Sequence, residues 1–399
     1  MKNKNNILLF IFFIAFAGLY FSKTALSIFP YLLIIYGLSQ KNSIQRLKGI
    51  IHNKSIMSIM LIFFVYLLSG INSENTSKWL EKLNTNLIYI AIPLGVYLSG
   101  NYTKSTLNRI ISLFVVINTL LNIFLLINYI LHFEIVNQQY LRGQTIYTPI
   151  MHVRYSYFVA LSIIFSSYLF IINLKTKFKY FWGIITIFLI IFLHILAVRT
   201  GILSIYITLF TMGIYFALKF RKHKELITGL IVFFLIITIS FFTFPSIKNK
   251  IKYSLWDIKS TINHTARYHT SDRIRIYSII NGIKLVNENP VFGTGIGDIY
   301  TEMDKKYNIN YPDLPKEYRF GPIDQFLFTM ASMGITGFIL LYGLLLLPIY
   351  FSKYKHKLLI PFYILTFATF LGENTIELIV GKTAFLVFLS LFLCNKPER

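Results

Sequence analysis

Apolar runs long enough to cross a lipid bilayer recur from one end of this sequence to the other. Leu226 to Phe244 and Phe326 to Tyr350 are two of them, and each meets the requirement of roughly 20 apolar residues per crossing. With 55% of residues hydrophobic and a mean hydropathy of +0.61, the pattern excludes a soluble core. The expected fold class is all-α: a polytopic helical membrane protein whose residues 1–399 form a single integral membrane domain.

Cutting the apolar pattern at charged or Asn/Gly/Pro-rich segments gives about twelve spans by the hydropathy rule. Their cores lie at 7–21, 25–40, 55–70, 84–100, 110–130, 153–172, 181–198, 200–218, 226–244, 326–349, 358–372 and 380–395. The first follows Lys2 and Lys4 as a signal peptide would, but no small-x-small cleavage site comes after it and further spans begin at once. It therefore reads as a transmembrane helix with its N-terminus in the cytoplasm. Alternating the spans from there places most Lys and Arg residues on the inner side, and segment 245–325 becomes one large extracytoplasmic loop, long enough to escape the positive-inside rule. Both termini are cytoplasmic on this count.

The net charge of +23 is then an orientation signal rather than a nucleic-acid footprint. The single cysteine, Cys394, excludes a disulfide framework and a Cys-based metal site. No HExxH, CxxC, Walker or GxSxG pattern is present, so neither metal-dependent nor ATP-driven chemistry is expected, and no cofactor. Four polar features fall on the outer side: 132–155, the junction Val198-Arg199-Thr200-Gly201, the long loop, and the turn from Gly372 to Glu377.

Arg199 stands where one span ends and the next begins, a position costly enough to point to anion binding or a polar cavity; an interfacial arginine snorkelling to lipid phosphates is the alternative. In the long loop, Ser271 is a plausible N-cap for an amphipathic helix that Asn289-Pro290 would end. Arg273 and Arg275 on that helix are two residues apart and face nearly opposite directions. The run Gly293-Thr294-Gly295-Ile296-Gly297-Asp298 offers either an anion nest of backbone N–H groups or a tight turn needing positive φ. His152 and Arg154 put an imidazole and a guanidinium at the mouth of a span, as a proton acceptor or as structural groups. Glu373 and Glu377 lie four apart, on one face if that turn is helical. They can orient an arginine, accept a proton, or simply be solvated.

Taken together, the second half of the chain resembles the O-antigen ligase and O-antigen polymerase superfamily of bacterial membrane glycosyltransferases. The resemblance rests on Arg199-Thr200-Gly201, on Arg275 followed by Asn289-Pro290-Val291-Phe292-Gly293-Thr294-Gly295-Ile296-Gly297-Asp298, on Pro322 through Gly337, and on Glu373-Asn374-Thr375-Ile376-Glu377. His152-Val153-Arg154-Tyr155-Ser156 also looks like a motif of one branch. What the resemblance implies is metal-independent transfer of a glycan from an undecaprenyl-diphosphate-linked donor, outside the bacterial cytoplasmic membrane, to a growing surface polysaccharide, a lipid A core or a protein. Arg199 and Arg275 would hold the diphosphate, whose oxygens suit a bidentate guanidinium. Arg154, His152, Arg273, Gly293, Gly295, Gly297, Glu373 and Glu377 would line the substrate site. Membrane lipids are expected partners; nucleic acid is not.

One departure stands out. Ligases typically carry a His-Asn or similar polar pair before nine residues, Gly, two residues and a small residue; here Ile323-Asp324 precedes Gly334 and Gly337 with the spacing intact. Isoleucine neither accepts a proton nor donates to a diphosphate, so Asp324 is left as a base for the acceptor hydroxyl or as the N-cap of the following span. A polymerase, or a degenerate relative, also fits. The rival from a different class is a flippase or other secondary transporter, though no halves of matching pattern are visible. The charge sort makes a direct prediction: a reporter fused after Asn310 is expected to read out on the outer side, and a cytoplasmic signal there overturns the topology.

Overall fold

A computed structural model describes residues 2–100, 102–221, 235, 238, 242–263, 270–352 and 356–394. Seventeen α-helices are introduced here in chain order. They are α1 (Lys2–Phe21), α2 (Lys23–Leu38), α3 (Ser43–Gly49), α4 (Lys54–Leu68), α5 (Thr76–Asn86), α6 (Ile88–Ser99), α7 (Lys104–Leu131), α8 (Phe133–Leu141) and α9 (His152–Ile172). After them come α10 (Phe178–Leu196), α11 (Arg199–Lys219), α12 (Pro245–Ile262), α13 (Ser271–Glu288), α14 (Ile299–Asn310), α15 (Gln325–Phe351), α16 (Leu359–Phe370) and α17 (Ile379–Cys394). Among the described residues there is no β-strand.

The all-α expectation holds, and each expected span except one coincides with a helix. The exception, 226–244, lies outside the described residues apart from Leu235, Thr238 and 242–244. Among the described residues, five helices are by themselves long and apolar enough to cross a membrane: α7, α9, α10, α11 and α15. A sixth candidate is the pair Ser43–His52 and Lys54–Leu68, bent by 77°. Segments 6–21, α2, α16 and α17 are apolar but shorter. The segment expected to be one long loop is itself helical over α12, α13 and α14.

The chain divides into two compact units. The first comprises Met1–Ile110, Ile274–Leu359 and Asn374–Arg399, and the second Ile111–Arg273 and Ile360–Glu373. In the first, α2 packs on α1 and α6, α4 on α6 and α15, and α17 on α2, α4 and α6. Stacked rings of Phe16 and Phe388, 5.6 Å apart, seat α17 against α1. In the second, α9 packs on α10 and α11, and α12 lies across α8 and α10. Of these helices α9 is the most enclosed, with Tyr155, Ser156, Phe158, Leu161 and Phe165 fully buried.

Close backbone approach decides two of these packings. On α11, a Cβ at Gly201 would stand 2.5 Å from the Cβ of Ser156, so only glycine lets α9 and α11 meet there. On α15, Gly334 adopts φ +65° and ψ −171°, breaking the helix in two. The segment 290–295 seals that break: Thr294 N–H donates to Ala331 O (2.9 Å), Gly295 N–H to Ser332 O (3.0 Å), Ile335 N–H to Pro290 O (2.9 Å) and Thr336 N–H to Val291 O (3.2 Å). A Cβ on Gly293 would fall 2.5 Å from the backbone of Met333 and Gly334, and one on Gly334 2.2 Å from Val291 O. Substituting Gly334→Ala is therefore expected to cost about 1–3 kcal/mol, the scale of a non-glycine residue forced into a sparsely populated conformation. Gly213→Ala, on the open face of α11 with nothing near its added carbon, should leave thermal unfolding in detergent unchanged or slightly raised. Equal melting temperatures for the two variants would refute the interlock.

Candidate functional site

Two helices of the second unit begin side by side. Because Gly201 meets Ser156, the first turn of α11, which opens at Arg199, lies against the first turn of α9, which opens at His152. Neither helix has a side-chain N-cap, Met151 and Val198 occupying those positions. Unsatisfied N–H groups and the helix dipole favour an anion at such ends. Each end also carries an arginine.

Arg199 is half-exposed, its side chain 46% accessible, while its partner Asp272 is buried at 8%. The guanidinium grips that carboxylate in a two-point fork: Nη1 donates to Oδ2 at 3.2 Å and Nη2 donates to Oδ1. Nη1 also donates to Ser254 Oγ at 3.0 Å. Of the five N–H donors of a guanidinium, two have no partner among the described residues. Asp272 is held in turn by Asp257, a fully buried residue. Its Oδ2 accepts the Asp272 backbone N–H at 2.9 Å and its Oδ1 accepts the Thr270 hydroxyl. Ser254 and Asp257 stand three apart on α12, one turn of one helix face. Thus α12 supports the arginine directly and its counter-ion indirectly.

Arg154, in the first turn of α9, makes the second pair. Its Nε donates to Glu373 Oε1 at 2.9 Å, and Nη2 forms an ion pair with the same oxygen at 2.9 Å. The turn carrying Glu373 rests on α11, since a Cβ on the preceding Gly372 would lie 2.9 Å from Thr200 Oγ1. His152, the first residue of α9, and Arg273, in the first turn of α13, are half-buried. The second unit therefore gathers Arg154, Arg199, Glu373 and Asp272 around two adjacent helix N-termini. Opposed charges of this kind preorganise the guanidinium planes without neutralising every donor.

The first unit contains the other candidates. Arg275 is half-buried on α13. Three residues further on, Ser278 Oγ donates to Gly321 O (2.8 Å) and accepts the Ile323 N–H (3.1 Å). These two bonds hold the segment that leads to Asp324. Asp324 caps α15: its Oδ1 accepts the Leu327 N–H at 2.8 Å. Burial raises its carboxyl above the ordinary value, and backbone N–H groups of Leu327 and Phe326 pull it partly back.

The glycine run takes the second of its two readings, a turn. Gly293 N–H donates to Asn289 O (3.1 Å), Gly295 N–H to Ser332 O, and Gly297 N–H to Ser73 Oγ (3.0 Å). With these donors spent on the protein, the run is not an anion nest. It is a wedge between the α15 break and the turn 72–75, where Asn72 Nδ2 donates to Gly293 O (2.6 Å) and the Asp298 carboxylate accepts the N–H groups of Glu74 (2.6 Å) and Asn75 (2.9 Å). Gly293, Gly295 and Gly297 are there because neighbouring backbone leaves no room for a Cβ.

Glu373 and Glu377 also part company. The turn between them is not helical, and Glu377 joins a buried polar group in the first unit. Tyr66 OH donates to its Oε1 at 2.6 Å, Gln325 Nε2 approaches the same oxygen at 3.4 Å, and Lys82 Nζ lies 3.8 Å from Oε2. Lys382 is fully buried on α17. It donates to Asn86 Oδ1 and lies over the rings of Tyr66 and Tyr89, 5.7 and 5.4 Å from their centroids. Sequence reasoning missed Asp257, Asp272, Tyr66 and the two lysines. One signal for the carboxylates was available: with 16 Asp and Glu against 39 Lys and Arg, every acid near a boundary arginine is a candidate counter-ion.

Residues 184–342 match the sequence model of a family described as O-antigen ligase. The match runs from α10 into α15 and includes Arg199, Asp257, Asp272, Arg275, the glycine run and Asp324. It supports the superfamily resemblance carried by the motifs. No curated protein matches the chain.

Cap and base can be separated at Asp324. Asparagine caps a helix about as well as aspartate, so Asp324→Asn should fold as the native chain does. The raised carboxyl means the folded state holds this proton more tightly than the unfolded chain. Its stabilising contribution is therefore complete below the unfolded value, about 3.9, and is lost as pH rises through the folded one. Native minus Asp324→Asn stability should fall across that window in pH-dependent melts, and a flat difference would contradict the burial of this carboxyl.

Proposed function

We propose that this protein, related through residues 184–342 to the O-antigen ligases, is a glycosyltransferase of the bacterial cytoplasmic membrane. Its donor is a glycan carried on undecaprenyl diphosphate, and its acceptor is a saccharide, either a growing surface polysaccharide or a lipid A core, on the outer side. In the reaction the acceptor hydroxyl attacks the anomeric carbon. The new C–O bond forms as the bond from that carbon to the diphosphate oxygen breaks, and undecaprenyl diphosphate leaves.

The observation that carries the reading is that the matched segment contains a boundary arginine at an uncapped helix N-terminus, held by a buried carboxylate, with two N–H donors unused among the described residues. Charge builds on the diphosphate as it leaves, and preorganised donors aimed at such charge are the largest single source of rate in this kind of transfer. Arg199 takes that role with Arg275, the family-matched arginine of α13. Arg154 and His152 at the neighbouring helix start, with Arg273, Glu373 and Glu377, serve substrate binding. Asp324 takes the proton of the acceptor hydroxyl, and its raised carboxyl makes it a better base when ionised than an ordinary aspartate. Metal is not required in this scheme, because the guanidinium groups supply the positive charge.

The test is a gel profile of surface polysaccharide from cells lacking the gene and complemented with single variants. Arg275→Ala and Arg199→Ala are expected to lower glycan transfer on the order of 100-fold, the cost of one donor to a developing anion, while Arg273→Ala keeps most of it. A ladder reduced to a core with one repeat identifies a polymerase, and a core without repeats beside accumulated lipid-linked polymer identifies a ligase. An unchanged profile, or equal loss from Arg273→Ala and Arg275→Ala, refutes the assignment.

A further inference from the structure

The geometry points to a second glycan-binding site, separate from the arginines, in a groove of the first unit formed by α14 and the segment that leads to α15. The groove has a volume of about 460 Å³, within the range of sites that hold small ligands. Two half-exposed rings line it, Tyr300 at 49% and Phe320 at 44% accessible. Between them stand Asp304 and Asn308, four apart on α14 and therefore on one helix face.

Arg319 aims that pair without itself being available. Its side chain is only 8% accessible. Nε donates to Leu314 O (2.8 Å), Nη2 to Pro312 O (3.4 Å), and Nη1 to both Asp304 Oδ1 (2.9 Å) and Asn308 Oδ1 (2.5 Å). The guanidinium thus anchors one oxygen of each side chain. Among the described residues, Oδ2 of Asp304 and Nδ2 of Asn308 have no protein partner. What remains at the groove is a carboxylate acceptor beside an amide donor, both fixed in orientation.

This combination selects for a hydroxyl-rich ligand. A carboxylate oxygen accepts from a sugar hydroxyl, an amide N–H₂ donates to a hydroxyl or ring oxygen, and an exposed ring face packs against the C–H face of a pyranose. A phosphate is disfavoured by the open carboxylate oxygen of Asp304; Arg319 is already committed and Lys305 is paired with Glu302 at 2.6 Å, so exposed Lys316 is the one lining cation without a partner among the described residues. The floor is rigid as well: Tyr307 OH donates to Phe320 O at 3.1 Å. Gly321 leaves the Tyr300 ring its space, since a Cβ there would stand 3.0 Å from it. The ligand class is an oligosaccharide. In biological terms the site rests on the proposed glycosyl transfer, as a hold on the glycan of either the acceptor or the donor.

Binding is measured on the full chain in nanodiscs, by saturation-transfer NMR and calorimetry. Two lipid-free probes from the host's own surface polysaccharide are used, an oligosaccharide of repeat units and the oligosaccharide of the core. Binding of at least one is expected; repeat units alone assign the groove to the polymer and core alone to a terminal acceptor. Phe320→Ala and Asn308→Ala are each expected to weaken binding at least tenfold, and Phe320→Tyr to retain it. Asn308 is exposed, so its variant remains informative should Phe320→Ala fail to fold. Absence of binding by either probe, or Ala variants that bind as the native chain does, overturns the site. Arg275→Ala separates the two ideas: it should bind the probe normally while losing transfer. Absence of transfer by the native chain would refute the transferase reading, and normal transfer by Arg275→Ala would refute the role given to that arginine; either result leaves the groove standing.

Discussion

A shortage of carboxylates governs how this protein places its charge. A buried or boundary cation is tolerated only when something answers it, and here the answers are few and specific. Asp272 holds Arg199, Glu373 holds Arg154, and Glu377 serves Tyr66 and Gln325 with Lys82 close by. Removing Glu373 would leave Arg154, only 19% accessible, without its counter-ion, and removing Asp272 would untie half-exposed Arg199. The same pairs fix guanidinium planes in advance, which is what an anion-binding site needs. Stability and anion recognition therefore draw on the same side chains.

The glycine-rich motif acts at a different level. It has the look of a phosphate loop, yet its N–H groups are consumed by the broken helix α15 and by the turn 72–75. Two stretches that the family resemblance treats as separate motifs, 289–298 and 322–337, turn out to be the two halves of one interlock. Gly293 and Gly334 face each other at a distance that admits no Cβ. The motif's contribution is rigidity within the first unit, which also contains Asp324 and Arg275.

Ile323 takes on a plain meaning in this setting. Its side chain offers nothing to a diphosphate, but its backbone N–H is used by Ser278, one turn beyond Arg275 on α13. The position where ligases typically carry histidine is here a backbone attachment point, and the neighbouring Asp324 is the titratable group. The pair Ile323-Asp324 keeps the family spacing to Gly334, and under the proposed function the acid–base group stands one residue beyond the histidine position.

The sequence by itself determined the all-α class, the position of nearly every helix, and the arginines at helix starts, because hydropathy and charge are properties of consecutive residues. Hydropathy also made more spans of the short apolar helices than length alone supports, since apolarity marks burial in protein as well as in lipid. Tertiary structure alone decided which acid answers which arginine. Asp272 is 73 positions from Arg199 and Glu373 is 219 from Arg154, and no local pattern connects residues so far apart. It likewise sent Glu373 and Glu377 to different partners, and it spent the glycine-loop donors on a helix break. A hydrogen bond needs its two atoms within about 3 Å of each other, and only the folded chain sets that distance.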